Sequence, residues 1–174
     1  MAKRINLQPF CDDEGAIRYD IGKPFVQSGY RYATDGRIIA RVKTRERDTA
    51  GRKLPRDAAS VYDPPIKSPL VALKRGKRYV EPEGGDLCGC NCIKRCKKCD
   101  GSGVLPQFIS YVGKALFDEK YLAKIERLPG VKVVKPKGSD DSMYFAFTGG
   151  DGVLMPLERA GALQFAKQIR KGTR

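Results

Sequence analysis

Apolar positions in this chain alternate with polar ones in short runs, and a helical period takes over in only a few places. Ala16 to Asp20 has β character and is broken by Gly22-Lys23-Pro24. Tyr30 to Thr34 then meets Arg37 to Val42 across Asp35-Gly36. Asp-Gly between two such runs predicts a hairpin, because both turn residues tolerate positive φ. The alternation gathers Tyr30, Tyr32 and Thr34 on one side. Tyrosines beside arginines suit either base stacking or amphipathic packing on a half-exposed sheet. Leu70 to Leu73 and Arg78 to Val80 predict a second hairpin, turning at Lys74-Arg75-Gly76-Lys77. Gln107 to Val112 reads as a strand. Asp118 is placed to cap a helix over 119–128, whose Tyr121, Leu122, Ile125 and Leu128 share one face and which Pro129-Gly130 ends. Three β segments follow, 131–135, 143–148 and 152–157, the last two joined through Gly149-Gly150-Asp151. Residues 159–171 have helical composition, with Leu163, Phe165, Ala166 and Ile169 for a buried stripe.

Between Lys43 and Pro69 the pattern dissolves. Lys43, Arg45, Arg47, Arg52, Lys53 and Arg56 crowd together, and Pro55, Pro64, Pro65 and Pro69 prevent any long element beyond a helical turn around Asp57 to Val61. This segment reads either as a solvated loop or as a phosphate-contacting arm. The predicted elements make an α+β fold, an antiparallel sheet with a packed helix. Residues 1–81 form its β-rich first half with the basic loop 43–69. Residues 82–103 are an insertion, and residues 104–174 supply the helix, the closing strands and a C-terminal helix. A length of 174 residues suits one domain with an insertion and is enough to bury a core.

Composition changes this picture in one respect. The formal charge of +14 predicts attraction to phosphate backbones and binding that weakens as salt rises, although excess charge also serves solubility. No apolar run approaches the roughly 20 residues of a membrane span. The Met-Ala-Lys-Arg start lacks the apolar centre of a secretory signal, so the expected location is the cytoplasm.

Five of the six cysteines fall between Cys88 and Cys99; only Cys11 lies elsewhere. A Cys-x-x-Cys turn such as Cys96–Cys99 lets two thiolates chelate one ion, and the absence of histidine leaves sulfur to hold it. The expected ligands to a structural zinc are Cys88, Cys90, Cys96 and Cys99, with Cys92 available as a substitute. A reducing compartment favours zinc over disulfides. Cys96 to Gly103 reads C-x-x-C-x-G-x-G and resembles one cysteine knuckle of the zinc region of DnaJ-type chaperones, which implies a metal but, with the J domain and repeated copies absent, no chaperone activity. Lys94, Arg95, Lys97 and Lys98 lie among the thiols, stabilising thiolates and facing outward. With Lys74, Arg75, Lys77 and Arg78 of the second turn they are the expected nucleic-acid contacts. Catalysis is not expected: no histidine supplies a base, an all-thiolate zinc has no open position, and Gly149-Gly150-Asp151-Gly152 lacks the helix and lysine of a phosphate loop.

Two motifs together resemble bacterial DNA polymerase sliding clamps. Tyr32-Ala33-Thr34-Asp35-Gly36-Arg37-Ile38-Ile39-Ala40 is similar to their Ala-Thr-Asp-Gly hairpin. Phe117 to Leu122, followed by β segments and Val153-Leu154-Met155-Pro156-Leu157, is similar to their final helix and Met-Pro strand. The resemblance covers residues 29–43 and 107–157 and implies a single clamp-like domain, where a clamp chain has three, with the cysteine stretch inserted between hairpin and helix. Clamp helices that line DNA carry positive charge, whereas here Asp118, Glu119 and Glu126 cancel Lys120, Lys124 and Arg127. The expected function is therefore a zinc-stabilised, clamp-like, non-catalytic protein that binds DNA or serves a replication complex, with assembly into homo-oligomers left open. The alternative is a phage- or plasmid-type regulator whose basic loops engage acidic host proteins.

Overall fold

A computed structural model describes residues 5–11, 22–51, 68–81, 88, 96, 98–99 and 104–157. Among these residues the α+β architecture is built from two antiparallel sheets and one α-helix. The strands are β1 (Phe25–Gln27), β2 (Tyr30–Thr34), β3 (Ile38–Lys43), β4 (Leu70–Ala72), β5 (Arg78–Glu81), β6 (Gln107–Val112), β7 (Ala115–Asp118), β8 (Lys132–Val134), β9 (Met143–Phe147) and β10 (Gly150–Leu154). Helix α1 spans Glu119–Glu126, and a 3-10 turn covers Gln8–Phe10. The larger sheet runs β1-β2-β3-β10-β9-β8-β4 and the smaller β5-β6-β7. No helix among the described residues is long and apolar enough to cross a membrane.

The Asp35-Gly36 hairpin forms with Ala33 opposite Ala40 and Thr34 opposite Ile39. Asp35 Oδ1 accepts from the amides of Arg37 and Ile38, while Gly36 takes the positive φ of 89° that the turn requires. Alternation along β3 sends Ile38 and Ala40 inward, each 0% exposed, onto Phe117, Leu122, Ile125, Met143 and Phe145. Helix α1 presents Tyr121, Leu122 and Ile125 to that core, as its 3.6-residue period predicts, and Leu128 beyond its end is buried too. Pairing of β10 with both β3 and β9 joins the hairpin to the C-terminal strands. At Gly152 the chain passes so close to the Phe145 ring and the Ile39 carbonyl that a Cβ would collide with both.

The tyrosine alternative resolves toward packing. Tyr32 is buried and stacked on Phe25 with centroids 5.6 Å apart, and the Arg41 guanidinium covers Tyr30 at 4.6 Å. Arg41 in turn donates to both oxygens of Asp151, which also accepts from the Tyr144 hydroxyl at 3.0 Å.

The structure corrects three sequence expectations. The hairpin over Leu70–Val80 does not form: β4 pairs with β8 in the larger sheet, and β5 pairs with β6 in the smaller. Residues 73–77 cross between the sheets, fixed where the Gly76 amide donates to the Tyr111 carbonyl at 2.6 Å. Pairing with strands distant in sequence outcompetes the local turn. The final strand begins at Gly150, not Gly152, so its turn lies at Thr148-Gly149. The helix stops at Glu126, two residues short of the predicted end. The expected β segment over 16–20, the helical turn over 57–61 and the helix over 159–171 lie outside the described residues.

Candidate metal centre and basic face

Strands β5 and β6 are antiparallel partners with Glu81 opposite Gln107, so the cysteine stretch is the connection between two paired strands. Within it the sulfurs of Cys88, Cys96 and Cys99 all lie within 4.8 Å of one another. Cys88 Sγ and Cys96 Sγ are 3.7 Å apart, and Cys99 is buried at 5% exposure while the other two are half-buried. The amides of Lys98 and Cys99 point at the Cys96 sulfur and lower its pKa to about 7, with Lys98 contributing most. A turn that aims backbone N–H groups at sulfur holds negative charge there and favours thiolate. These three cysteines could hold a metal ion. They are three of the four expected ligands; the fourth, Cys90, and its substitute Cys92 lie outside the described residues, as do Lys94, Arg95 and Lys97. Cys11 sits apart, buried in the main core.

The expected basic contacts divide once their neighbours are seen. Lys74, Lys77 and Lys98 are exposed, and Lys77 Nζ lies 5.4 Å from the Tyr79 ring centroid. Arg75 instead turns onto α1. Its Nε donates to Glu126 Oε1 at 2.8 Å, a second nitrogen pairs with Glu126 Oε2, and a third lies 3.7 Å from Glu119 Oε2. The hydrogen bonds to Glu126 raise the pKa of a group already charged at any ordinary pH. Arg78 pairs with Glu119 Oε2 at 3.0 Å, and its guanidinium covers the Phe108 ring at 4.3 Å. Glu119 further accepts from the Ser110 hydroxyl at 2.6 Å. Buried Asp118 caps the helix through the Lys120 amide at 2.8 Å and accepts from Gln107 Nε2 at 2.9 Å.

The sequence shows α1 as electrically balanced. In the fold, Arg75 and Arg78 pair with Glu119 and Glu126, so two cations from outside the helix are set against its carboxylates. The sequence offers Glu119 and Glu126 only as charges of the helix, not as partners of Arg75 and Arg78, and gives no sign of the role of Phe108 beneath Arg78. The only signal for the ion pairs was the acidic character of a helix beside basic segments, which local reading cannot assign to partners. The chain matches no protein-family model, no curated protein and no solved structure.

Proposed function

We propose that this is a zinc-stabilised, clamp-like, non-catalytic protein that binds DNA or serves as an accessory at a replication complex. The observation that carries the binding reading is the pairing of Arg75 and Arg78 with Glu119 and Glu126, which offsets the carboxylates of α1 with cations from outside the helix. A chain of charge +14 attracts polyphosphate and releases its counterions. The clamp-like part is supported by element order: β7, α1, β8, β9 and β10 follow in succession, and the Asp35-Gly36 hairpin pairs directly onto β10.

Zinc is the metal that the sulfur set fits best. Four thiolates at about 2.3 Å from a tetrahedral ion lie about 3.8 Å from one another, and Cys88 and Cys96 stand 3.7 Å apart. Cys88, Cys96 and Cys99, with Cys90 or Cys92 as the fourth, would hold the ion, which supplies structural cross-linking of the β5–β6 connection.

Nucleic-acid affinity measured against salt tests the proposal. A steep negative slope of log affinity against log salt is expected for both single-stranded and duplex DNA. The double variant Lys74→Glu/Lys77→Glu should weaken binding by at least about tenfold without loss of fold, because two phosphate-facing charges are inverted. A second reading, engagement of a protein partner, is favoured by β4, whose Leu70 and Val71 are about two-fifths exposed on a strand that, among the described residues, pairs on one side, with β8. Negligible DNA affinity at low salt would leave that reading standing alone.

A further inference from the structure

We propose that the groove beside α1 takes single-stranded nucleic acid by stacking a base on Phe108. This rests on the nucleic-acid reading above and names its substrate class. Phe108 and Val80 are direct cross-strand partners on β6 and β5, exposed at 37% and 41%. Opposed residues in an antiparallel pair project from the same side, so the two make one continuous apolar surface. Arg78, two residues before Val80, lies on that side and places its guanidinium over the Phe108 ring at 4.3 Å.

The groove that Phe108 lines is bounded by Arg37 of the β2–β3 turn and by Lys120 and Ala123 of α1, with Asp118 and Glu119 also lining it. Those carboxylates are engaged within the fold, Asp118 by the Lys120 amide and Gln107, Glu119 by Ser110 and Arg78. At the margin Arg37 and Lys120 are exposed, with Lys120 Nζ 3.9 Å from Asp118 Oδ2. An aromatic plane with an arginine over it, facing cations across a groove, matches what an unpaired strand offers: a base with a free π-face and phosphates on either side. A duplex keeps its bases stacked inside and can engage the cations alone. An apolar peptide would use Phe108 and Val80 but brings no phosphate to the facing cations.

The test is fluorescence anisotropy of the full chain with a labelled oligothymidine and with a duplex of equal length, both at low salt. Phe108→Ala should weaken binding to the single strand by about tenfold and to the duplex by less than about twofold. Phe108→Leu, apolar but without a π-face, should behave like the alanine variant, whereas Phe108→Tyr should stay within about twofold of the parent. The leucine and tyrosine variants keep most of the side-chain volume and carry the comparison should the alanine variant misfold. Salt-sensitive binding that these substitutions leave unchanged, or reduce equally on strand and duplex, overturns the stacking assignment and spares the broader reading. Absence of binding to either polymer overturns both.

Discussion

Both carboxylate oxygens of Asp118 are committed, one to the Lys120 amide and the other to the Gln107 side chain. The residue is 6% exposed, so truncation removes a cap and strands a half-buried donor, Gln107 Nε2, on β6. Asp118→Ala should cost about 1–2 kcal/mol in urea unfolding, and Asp118→Asn, which keeps one acceptor oxygen, less. Gly152 has the opposite vulnerability, since its missing side chain makes room for Phe145 and for the Ile39 carbonyl. Gly152→Ala should destabilise by about 1–3 kcal/mol, the usual penalty of overpacking, read from the same unfolding curves. At the thiols, Cys99→Ser should abolish stoichiometric zinc in a metal assay on protein purified without chelator, whereas Cys11→Ala, altering a core sulfur remote from the cluster, should leave the metal in place.

Among the elements, the segment between β4 and β5 departs furthest from the sequence reading. Local alternation was sufficient to place β2, β3, β6, α1, β8 and β9, because each carries its own period and its own stop signal, such as Asp35-Gly36 or Pro129-Gly130. It failed for Leu70–Val80, where two β runs flank four turn-like residues yet each finds a partner far along the chain. Strand β7 escaped notice because Phe117-Asp118 was read as the approach to the helix. Strand β1 carried a legible clue in Ser28-Gly29, whose φ values of 52° and 77° suit a tight hairpin. In the cysteine stretch the spacing singled out Cys96 and Cys99 and left Cys88 among three candidates for the other places; these three lie together and could hold a metal ion. The ion pairs of Arg75 and Arg78 were illegible, because nothing local links residues 75 and 126. These pairs are part-exposed, so Arg75→Ala should change stability by no more than about 1 kcal/mol. Its larger effect should be on DNA affinity, expected to fall severalfold as Glu119 and Glu126 regain uncompensated charge facing phosphate. Parallel unfolding and anisotropy measurements on that variant separate the two effects.

For the whole molecule, strand order matters more than any single contact. The larger sheet interleaves strands from both ends of the described chain, β1 to β3 with β8 to β10, and closes on β4. Such pairings require long loops to close before contacts form, so refolding should be slow for a domain of this size, in the millisecond-to-second range by stopped flow. The same topology brings the two ends of the cysteine stretch side by side, leaving after Glu81 and returning by Gln107 on strands already paired with each other.

That doorway makes the cysteine loop a replaceable cartridge. Its two threads are stitched side by side at Glu81 and Gln107, so a short glycine-containing turn substituted for residues 82–103 should leave the sheets and helix assembled, with a cooperative melt but without zinc. Descendants of this chain could then exchange one connecting segment for another while keeping the chassis that carries it.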